Sequence, residues 1–325
     1  MPICLVVQPI HPSGIQKLQA AGIEVRKASA ADMQVVAREI ADCDAVITRN
    51  AGLDTAAINA AARLQVIANH GVGTNKIDVA RATQLNIPIV FTPYANARSV
   101  AEHAIALMLA VGKRLVNCDQ AVRGGHWDYR YESGLQELHG KVLGVVGFGT
   151  IGRLTAEIAA RGFGMKVLVH SPSARAEHAS KGEFQFCDSL EELLKVSDVV
   201  SLHRPARPDT RHLINRQTLA SMKPSSILIN TARAELIDTA ALAQALTEGQ
   251  IAGAGIDVFD HEPVPAGHIL AQLSNVVLTP HSAGSTDEAL QAAADQCADQ
   301  IIDILAQRRP TYIVNPAVWD QRRIF

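Results

Sequence analysis

Three residues in the last third of the chain have side chains suited to acid–base chemistry on an anionic substrate. Arg233 follows the predicted strand SSILIN, Glu262 follows IAGAGIDV, and His281 follows NVVL. A guanidinium can hold a carboxylate through two parallel hydrogen bonds. A carboxylate beside an imidazole fixes its tautomer and favours its protonated form, which makes a proton donor near neutral pH. Taken singly, each is also compatible with a surface arginine or a satisfied polar residue.

A glycine-rich run, GFGTIG, lies between the predicted strand VLGVV and the predicted helix GRLTAEIAARG. Glycines there permit a tight turn, close approach of the backbone to a pyrophosphate, and close helix–strand packing. The helix N-terminus offers free N–H groups to phosphates. A purely structural turn and an S-adenosylmethionine site remain alternatives. The residues expected to contact a dinucleotide are Gly147, Gly149, Thr150, Ile151 and Gly152.

The order of these features predicts a reaction. A dinucleotide loop followed by Arg233, Glu262 and His281 at successive strand ends is what hydride transfer to a 2-keto acid requires. Arg233 would anchor the carboxylate and polarise the carbonyl, and His281 would supply the proton.

Composition narrows the class of ligand to small molecules. The 325 residues include 30 Lys plus Arg and 32 Asp plus Glu, which argues against nucleic acid or an anionic membrane as partner. Five scattered cysteines without C-x-x-C spacing disfavour a disulfide framework and a zinc site, and no H-x-x-x-H pair occurs, so no metal is predicted. No apolar run approaches the ~18 residues that span a membrane, and we expect a cytoplasmic protein.

Short apolar runs alternate with helical patterns and predict parallel sheets covered on both faces. The rhythm restarts at Gly140, which indicates two doubly wound α/β domains. A long helix is predicted over 97–123, and much of it should be buried, within the fold or against a second subunit, because its residues are mostly small and apolar. The final amphipathic helix, DEALQAAADQCADQIIDILAQ, could pack on either domain, since periodicity alone does not decide.

Eight motifs in order give the chain a resemblance to a known family: NHGVGTNKIDV, TPYANARSVAEHAIALMLA, GFGTIG, SLHRPARPDTRHLI, INTARAELID, GAGIDVFDHEP, TPHSAG and the closing VNP. Over nearly its whole length the chain resembles the D-isomer-specific 2-hydroxyacid dehydrogenases. The resemblance implies that Arg233, Glu262 and His281 form the catalytic triad, with Glu262 paired to the imidazole.

The resemblance also implies positions for the ligands. It puts the backbone around Val72 and Gly73 near the substrate carboxylate, together with Arg233 and His281. Further residues are expected to contact the cofactor, and those at the nicotinamide end are Thr231, Ala232, Asp257 and His281. Those in the segment SLHRPARPDTRHLI are His203, Pro205 and Thr210.

The architecture implied by the resemblance is discontinuous. A flavodoxin-like substrate domain is expected from residues 1–97 and 287–325, and a Rossmann dinucleotide-binding domain from residues 98–286. Members of the family are commonly dimers built on the dinucleotide domains, so a homodimer is expected.

The choice of cofactor depends on the residues that come after the predicted strand MKVLVHS. NAD-binding units normally place an acid there to hold the ribose hydroxyls, whereas this chain has His170, Ser171, Pro172, Ser173 and Arg175. A carboxylate would repel the 2′-phosphate of NADP, while the serines could donate hydrogen bonds and Arg175 could supply charge. The sequence therefore predicts a preference for NADP over NAD.

The expected activity is reduction of a small 2-keto acid, glyoxylate or hydroxypyruvate, to the D-2-hydroxy acid. Three alternatives stay open: an enzyme like D-3-phosphoglycerate dehydrogenase, a non-catalytic NAD(H)-sensing binding protein, and an enzyme of the same family that oxidises an unusual donor such as formate or phosphite. Arg49 could select a second negative charge on the substrate or could simply be solvated.

Overall fold

The structure is a computed structural model that describes residues 1–132, 134–174 and 183–325. It divides into two compact units, one made of residues 1–96 with 285–325 and the other of residues 97–284. Each unit contains one parallel sheet with helices between the strands, which confirms the predicted α/β class.

The first unit has a five-stranded sheet in the order β2-β1-β3-β4-β5, the flavodoxin-like order. Its strands are β1 (Ile3–Val6), β2 (Glu24–Lys27), β3 (Ala45–Thr48), β4 (Val66–Asn69) and β5 (Ile89–Phe91). Its helices are α1 (Pro12–Ala20), α2 (Met33–Glu39), α3 (Thr55–Ala60), α4 (Val79–Gln84) and the C-terminal helix (Asp287–Leu305). Alternate residues of the central strands enter two hydrophobic clusters, as expected for a sheet covered on both faces.

The C-terminal helix packs against α1 and β4, and so belongs to this first unit. Gly14 on α1 makes the close packing possible, because a Cβ there would lie 2.7 Å from the carbonyl oxygen of Ala294. Asn315 fixes the segment after the helix: its side chain accepts from the Ile89 N–H at 2.8 Å and donates to the Ile87 carbonyl at 3.0 Å. The structure thus answers the question that periodicity left open.

The second unit has a seven-stranded sheet in the order β12-β11-β10-β9-β6-β7-β8. Its strands are β6 (Val142–Val146), β7 (Lys166–His170), β8 (Gln185–Phe186), β9 (Val199–Leu202), β10 (Ile227–Asn230), β11 (Gly253–Ile256) and β12 (Val276–Leu278). The strand order reverses between β6 and β9, and in open parallel sheets ligands bind beyond the carboxyl ends at such a point. This is the Rossmann arrangement that the glycine loop predicts.

The helices of the second unit are α5 (Ala97–Gly112), α6 (Leu115–Arg123), α7 (Thr150–Phe163), α8 (Leu190–Val196), α9 (Arg216–Ala220) and α10 (Thr239–Thr247). The helix predicted over 97–123 is in fact two helices, of which α5 is largely buried as expected. The chain breaks at Arg114, whose φ of 46° is left-handed, and none of the residues of α6 is buried. The exposed apolar side chains continue after α6, where Trp127 is 64% and Tyr131 is 71% exposed.

None of the helices formed by the described residues combines the length and apolar character needed to cross a membrane. Within the same residues, no cluster of three or more His, Cys, Asp or Glu side chains could hold a metal ion. The five cysteines are free thiols, and four of them are buried.

Candidate active site

The three residues predicted to be catalytic lie on loops at the carboxyl ends of neighbouring strands in the second unit. Arg233 follows β10, Glu262 follows β11 and His281 follows β12, and these strands are adjacent in the sheet. Parallel strands place their carboxyl ends at one edge, so residues distant in sequence are presented on the same side of the sheet.

His281 and Glu262 form a direct contact. The imidazole Nδ1 lies 2.9 Å from both carboxylate oxygens of Glu262. Because an ionised carboxylate only accepts hydrogen bonds, Nδ1 carries a proton in this pair and Nε2 is the atom that can exchange a proton with a substrate. Glu262 is itself held by the Phe259 N–H at 3.2 Å. The His281 side chain remains 36% exposed, so a reactant can reach it.

The loop that carries His281 is fixed by a buried carboxylate. Asp257 is fully buried and accepts from the Thr279 hydroxyl at 2.6 Å, the Ser282 N–H at 2.8 Å and the Ala283 N–H at 3.0 Å. The His281 N–H donates to the backbone carbonyls of Asp257 at 2.9 Å and Thr279 at 3.0 Å. The predicted contact of Asp257 with the cofactor stays a prediction, since these bonds already engage its side chain.

Arg233 sits on a loop that the Asn230 side chain organises. Buried Asn230 donates to the Arg233 carbonyl at 2.8 Å and accepts from the Ala232 N–H at 3.0 Å. The Arg233 guanidinium donates to the Ala232 carbonyl at 2.6 Å. Among the described carboxylates, none forms an ion pair with Arg233, so its charge is available to an anionic ligand.

Thr231, on the same loop, was predicted to contact the nicotinamide. Its hydroxyl oxygen is buried without a hydrogen-bond partner among the described residues. A buried polar atom of this kind is costly unless something satisfies it. A polar group of a bound ligand would do so, and in this respect the loop fits a cofactor.

The glycines of GFGTIG are required for different reasons. Gly147 has φ 98°, and a Cβ there would lie 2.5 Å from the His203 carbonyl oxygen. A Cβ at Gly152 would lie 2.2 Å from the carbonyl oxygen of Gly147. At Gly149, by contrast, an added Cβ meets no atom within 4 Å. Packing therefore explains the first and third glycines, and open space at the second leaves room for a ligand against the backbone.

The first turn of α7 begins at this open space. Gly149 is its N-cap residue, and no side chain caps the free N–H groups that follow, those of Thr150 and Ile151 included. Uncapped N–H groups at a helix N-terminus bind anions, because the helix dipole adds to their hydrogen bonds. The loop and this turn fit a pyrophosphate.

At the end of β7, next to the loop, the described residues reach Ala174. The His170 carbonyl accepts from the Gly147 N–H at 2.9 Å, Ser171 is buried, and Ser173 is exposed. Arg175, which was predicted to supply positive charge, lies outside the described residues. No acidic residue occupies positions 170–174.

The segment after β9 borders the loop on its other side. His203 contacts the Ser201 hydroxyl through Nε2 at 2.9 Å, and burial lowers the pKa of His203 to about 4, so its ring is neutral at pH 7. The Thr210 hydroxyl donates to the Pro205 carbonyl at 2.8 Å and accepts from the Arg207 N–H at 2.8 Å. Thr210 therefore shapes this turn.

Two residues near the site were missed at the level of sequence. Arg204 is only 18% exposed in its side chain, pairs with Asp209 at 3.4 Å, and places its Cγ 3.1 Å from the Cβ position of Gly147. The sequence signal that could have identified Arg204 is its position directly before Pro205, in a segment already predicted to contact the cofactor. His103 on α5 contacts the Thr279 hydroxyl at 3.0 Å. It was hidden in a helix whose pattern indicated only burial.

Val72 and Gly73, the predicted substrate contacts, belong to the first unit. Val72 is exposed, and the Gly73 carbonyl accepts from the Asn69 side chain at 3.1 Å. Arg49 is partly buried, donates to the Pro9 carbonyl at 2.8 Å, and has its pKa lowered by burial. Burial and the Arg49 charge together lower the pKa of His70 to about 4. Arg49 is thus less solvated than the common surface arginine.

Comparison with known proteins agrees with this geometry. Residues 105–283 match the family model described as D-isomer specific 2-hydroxyacid dehydrogenase, NAD binding domain. A glyoxylate reductase of Thermofilum pendens is 40% identical over 86% of this chain and 84% of its own length. A D-3-phosphoglycerate dehydrogenase of Methanocaldococcus jannaschii is 38% identical over 96% of this chain, which spans 59% of that longer protein.

Solved structures give the same result. The NADPH-dependent glyoxylate/hydroxypyruvate reductase of Sinorhizobium meliloti, solved with NADP and malonate, superposes with a TM-score of 0.84 at 29% identity and covers 100% of this chain and 99% of its own. These matches confirm the resemblance seen in the motifs and support a nicotinamide cofactor. The chain belongs to the D-isomer-specific 2-hydroxyacid dehydrogenases, which are NAD(P)-dependent oxidoreductases acting on 2-hydroxy acids.

Proposed function

We propose that this protein reduces glyoxylate or hydroxypyruvate to the corresponding 2-hydroxy acid, of D configuration in the case of hydroxypyruvate, with NADPH as the preferred cofactor. The observation that carries the proposal is the pair of His281 and Glu262, in contact at 2.9 Å, on the strand ends next to an Arg233 that no described carboxylate neutralises. Relatives named glyoxylate reductase and glyoxylate/hydroxypyruvate reductase support the choice of substrate.

Each catalytic side chain is given a specific role in the proposed reaction. Arg233 binds the substrate carboxylate and draws electron density from the adjacent carbonyl. His281 donates the Nε2 proton to the carbonyl oxygen as that oxygen gains negative charge. Glu262 keeps Nδ1 protonated and stabilises the imidazolium. When bound, the nicotinamide supplies the hydride. The backbone of Val72 and Gly73 is proposed to contact the carboxylate, as the family resemblance implies.

The preference for NADPH rests on charge at the adenosine end. Positions 170–174 contain no acid that would repel a 2′-phosphate, and Ser171 and Ser173 can donate hydrogen bonds. Arg204, which pairs with Asp209 at 3.4 Å, places a further cation beside Gly147 of the loop. The relative from S. meliloti is described as NADPH-dependent.

The test is to measure kcat/KM for NADPH and NADH at saturating glyoxylate and at saturating hydroxypyruvate. We expect turnover with both keto acids and a higher kcat/KM for NADPH. A better NADH value would overturn the cofactor preference. Turnover only with 3-phosphohydroxypyruvate would favour the phosphoglycerate dehydrogenase alternative.

The assignment of His281 is tested by His281→Ala, with His261→Ala as the matched control. His261 is exposed and directly precedes Glu262, so its loss perturbs the same loop without removing the proton donor. We expect His281→Ala to lower kcat by on the order of 100-fold or more while NADPH still binds. Equal kcat in both variants would exclude His281 as the proton donor.

We also propose a homodimer and a cytoplasmic location. Exposed apolar side chains on and after α6, notably Leu115, Val122, Trp127 and Tyr131, are unusual on a surface that faces only water and support a subunit interface. The free cysteines support a reducing compartment. Light scattering on Leu115→Asp and Trp127→Asp variants tests the interface: dimeric variants would contradict it.

A further inference from the structure

His103 is a histidine of the second unit that neither the predicted site nor the proposed triad includes. It lies on α5, half-way along a helix whose other residues serve mainly as core. Its Nε2 is 3.0 Å from the Thr279 hydroxyl oxygen and 3.6 Å from an oxygen of Asp257. Thr279 belongs to the loop that carries His281, and Asp257, at the end of β11, accepts hydrogen bonds from that loop.

The directions of these hydrogen bonds can be assigned from the available protons. The Asp257 carboxylate accepts hydrogen bonds from two backbone N–H groups and, at 2.6 Å, from the Thr279 hydroxyl. The hydroxyl has a single hydrogen, which this bond uses, so the Thr279 oxygen can only accept a hydrogen bond from His103. His103 therefore carries its proton on Nε2, and a chain runs from His103 through Thr279 to the fully buried Asp257.

This chain ends at the backbone of the proposed proton donor. The His281 N–H is shared between the carbonyls of Thr279 and Asp257, the two residues that the chain joins. His281 also has φ 51°, a left-handed conformation that a residue with a side chain adopts only when its surroundings enforce it. One turn before His103, the Ser99 hydroxyl donates to the Ala283 carbonyl at 2.6 Å. Helix α5 thus contacts the loop on both sides of His281.

We propose that His103 is a positioning residue for catalysis. Its Nε2–H holds Thr279, and through Asp257 it keeps the His281 backbone in the left-handed conformation that presents the imidazole to Glu262. The inference deepens the proposed function and rests on it, because His281 must be the proton donor for its position to affect turnover. In the proposed mechanism His103 itself does not contact the reacting atoms.

The experiment compares three variants of the full chain. His103→Leu removes the donor, His103→Gln keeps an N–H donor on a flexible side chain, and Glu102→Gln changes the exposed neighbour on α5 as a control. We expect His103→Leu to lower kcat by on the order of 10- to 100-fold, since small misplacements of catalytic groups cost that much. His103→Gln should recover kcat to within about 3-fold of wild type, and the NADPH Kd should stay within about 2-fold in every variant.

A double variant tests whether His103 acts through Thr279. Thr279→Val breaks the same chain from the other side and should lower kcat to a similar extent. The kcat of the double variant, His103→Leu with Thr279→Val, should be within about 2-fold of that of Thr279→Val alone. The effects of substitutions within one hydrogen-bond chain are not additive. Multiplied losses would mean that His103 acts independently of Thr279 and would overturn the proposal. If His103→Leu does not fold, the proposal is tested by the other two variants: Thr279→Val should lose kcat, and His103→Gln should retain it.

A second readout does not depend on turnover. Amide hydrogen exchange in the peptide that contains residues 279–283 should be faster in His103→Leu than in wild type, and unchanged in His103→Gln and Glu102→Gln. If wild type shows no keto-acid turnover, the proposed function fails while the exchange data still report whether His103 holds the loop. If wild type is active and His103→Leu keeps both its kcat and its exchange rate, the inference is wrong and the proposed function stands.

Discussion

Alanine at two glycines of the loop GFGTIG should separate binding from packing. At Gly149 the backbone has φ −78° and ψ −167°, which any residue adopts, and an added Cβ meets no atom within 4 Å. At Gly152 the added Cβ lies 2.2 Å from the Gly147 carbonyl oxygen, well below the 3.0 Å that real Cβ atoms respect. Alanine at Gly149 should therefore affect cofactor binding, whereas alanine at Gly152 should affect the packing of the fold.

The expected magnitudes depend on these surroundings. Gly149→Ala should change the free energy of unfolding by less than about 1 kcal/mol, because a weaker N-cap offsets the lower entropy of the unfolded chain. It should raise the NADPH Kd by at least about 10-fold, equivalent to about 1.4 kcal/mol, since the methyl group occupies the space next to the pyrophosphate. Gly152→Ala should cost about 1–3 kcal/mol of stability through overpacking.

Urea denaturation without cofactor gives the free energy of unfolding of each variant, and NADPH titration followed by protein fluorescence gives the NADPH Kd. Gly162→Ala is the matched control: it lies in α7, its Cβ position is also open, and alanine there should stabilise the fold by about 0.5–1 kcal/mol without affecting NADPH. If Gly149→Ala binds NADPH with a Kd within about 2-fold of the wild-type value, the open space at Gly149 does not serve the cofactor. The fit of the loop to a pyrophosphate would then be refuted.

Three further outcomes are expected. Glu262→Gln should lower kcat by on the order of 10- to 100-fold with an unchanged NADPH Kd, and an unchanged kcat/KM would exclude its role. Arg204→Leu should lower the NADPH-over-NADH ratio of kcat/KM at least about 3-fold, whereas exposed Arg211→Leu should not; equal effects would remove Arg204 from cofactor selection. For His70 and His203 the folded pKa of about 4 lies below the usual 6.5, so their contribution to stability is complete above pH 6.5 and lost as pH falls toward 4. At pH 5 the loss is at most about 2 kcal/mol for each ring, and urea midpoints that do not fall between pH 7 and 5 would contradict it.

Sequence patterns predicted the features that depend on chain order and periodicity. Strands that end before Arg233, Glu262 and His281 could be recognised from apolar runs and turns, and parallel pairing then brings their ends to one edge. Strand β8, with two residues, is too short for any periodicity. The break at Arg114 comes two residues after Gly112, the last residue of α5, and a single glycine inside a helical pattern does not by itself mark a helix end.

Side-chain direction was the part that patterns could not supply. Arg204 looks like any surface cation until its stem is seen beside Gly147. His103 shares a helix with core residues, and only the fold shows that it contacts Thr279. Spacing along the chain determines which face of an element a residue occupies. The partner on that face is distant in sequence: Gly147 lies 57 positions before Arg204, and Thr279 lies 176 positions after His103.

The discontinuous first unit has a consequence for synthesis on the ribosome. The face of its sheet that includes Val66 and Ala68 is covered by Cys297, Ala298 and Ile301 of the C-terminal helix. About 190 residues separate the two parts, so at roughly 5–20 residues per second the face waits on the order of 10 to 40 seconds for its cover. The inserted second unit can fold first, while the nascent N-terminal segment exposes an apolar surface to which chaperones can bind.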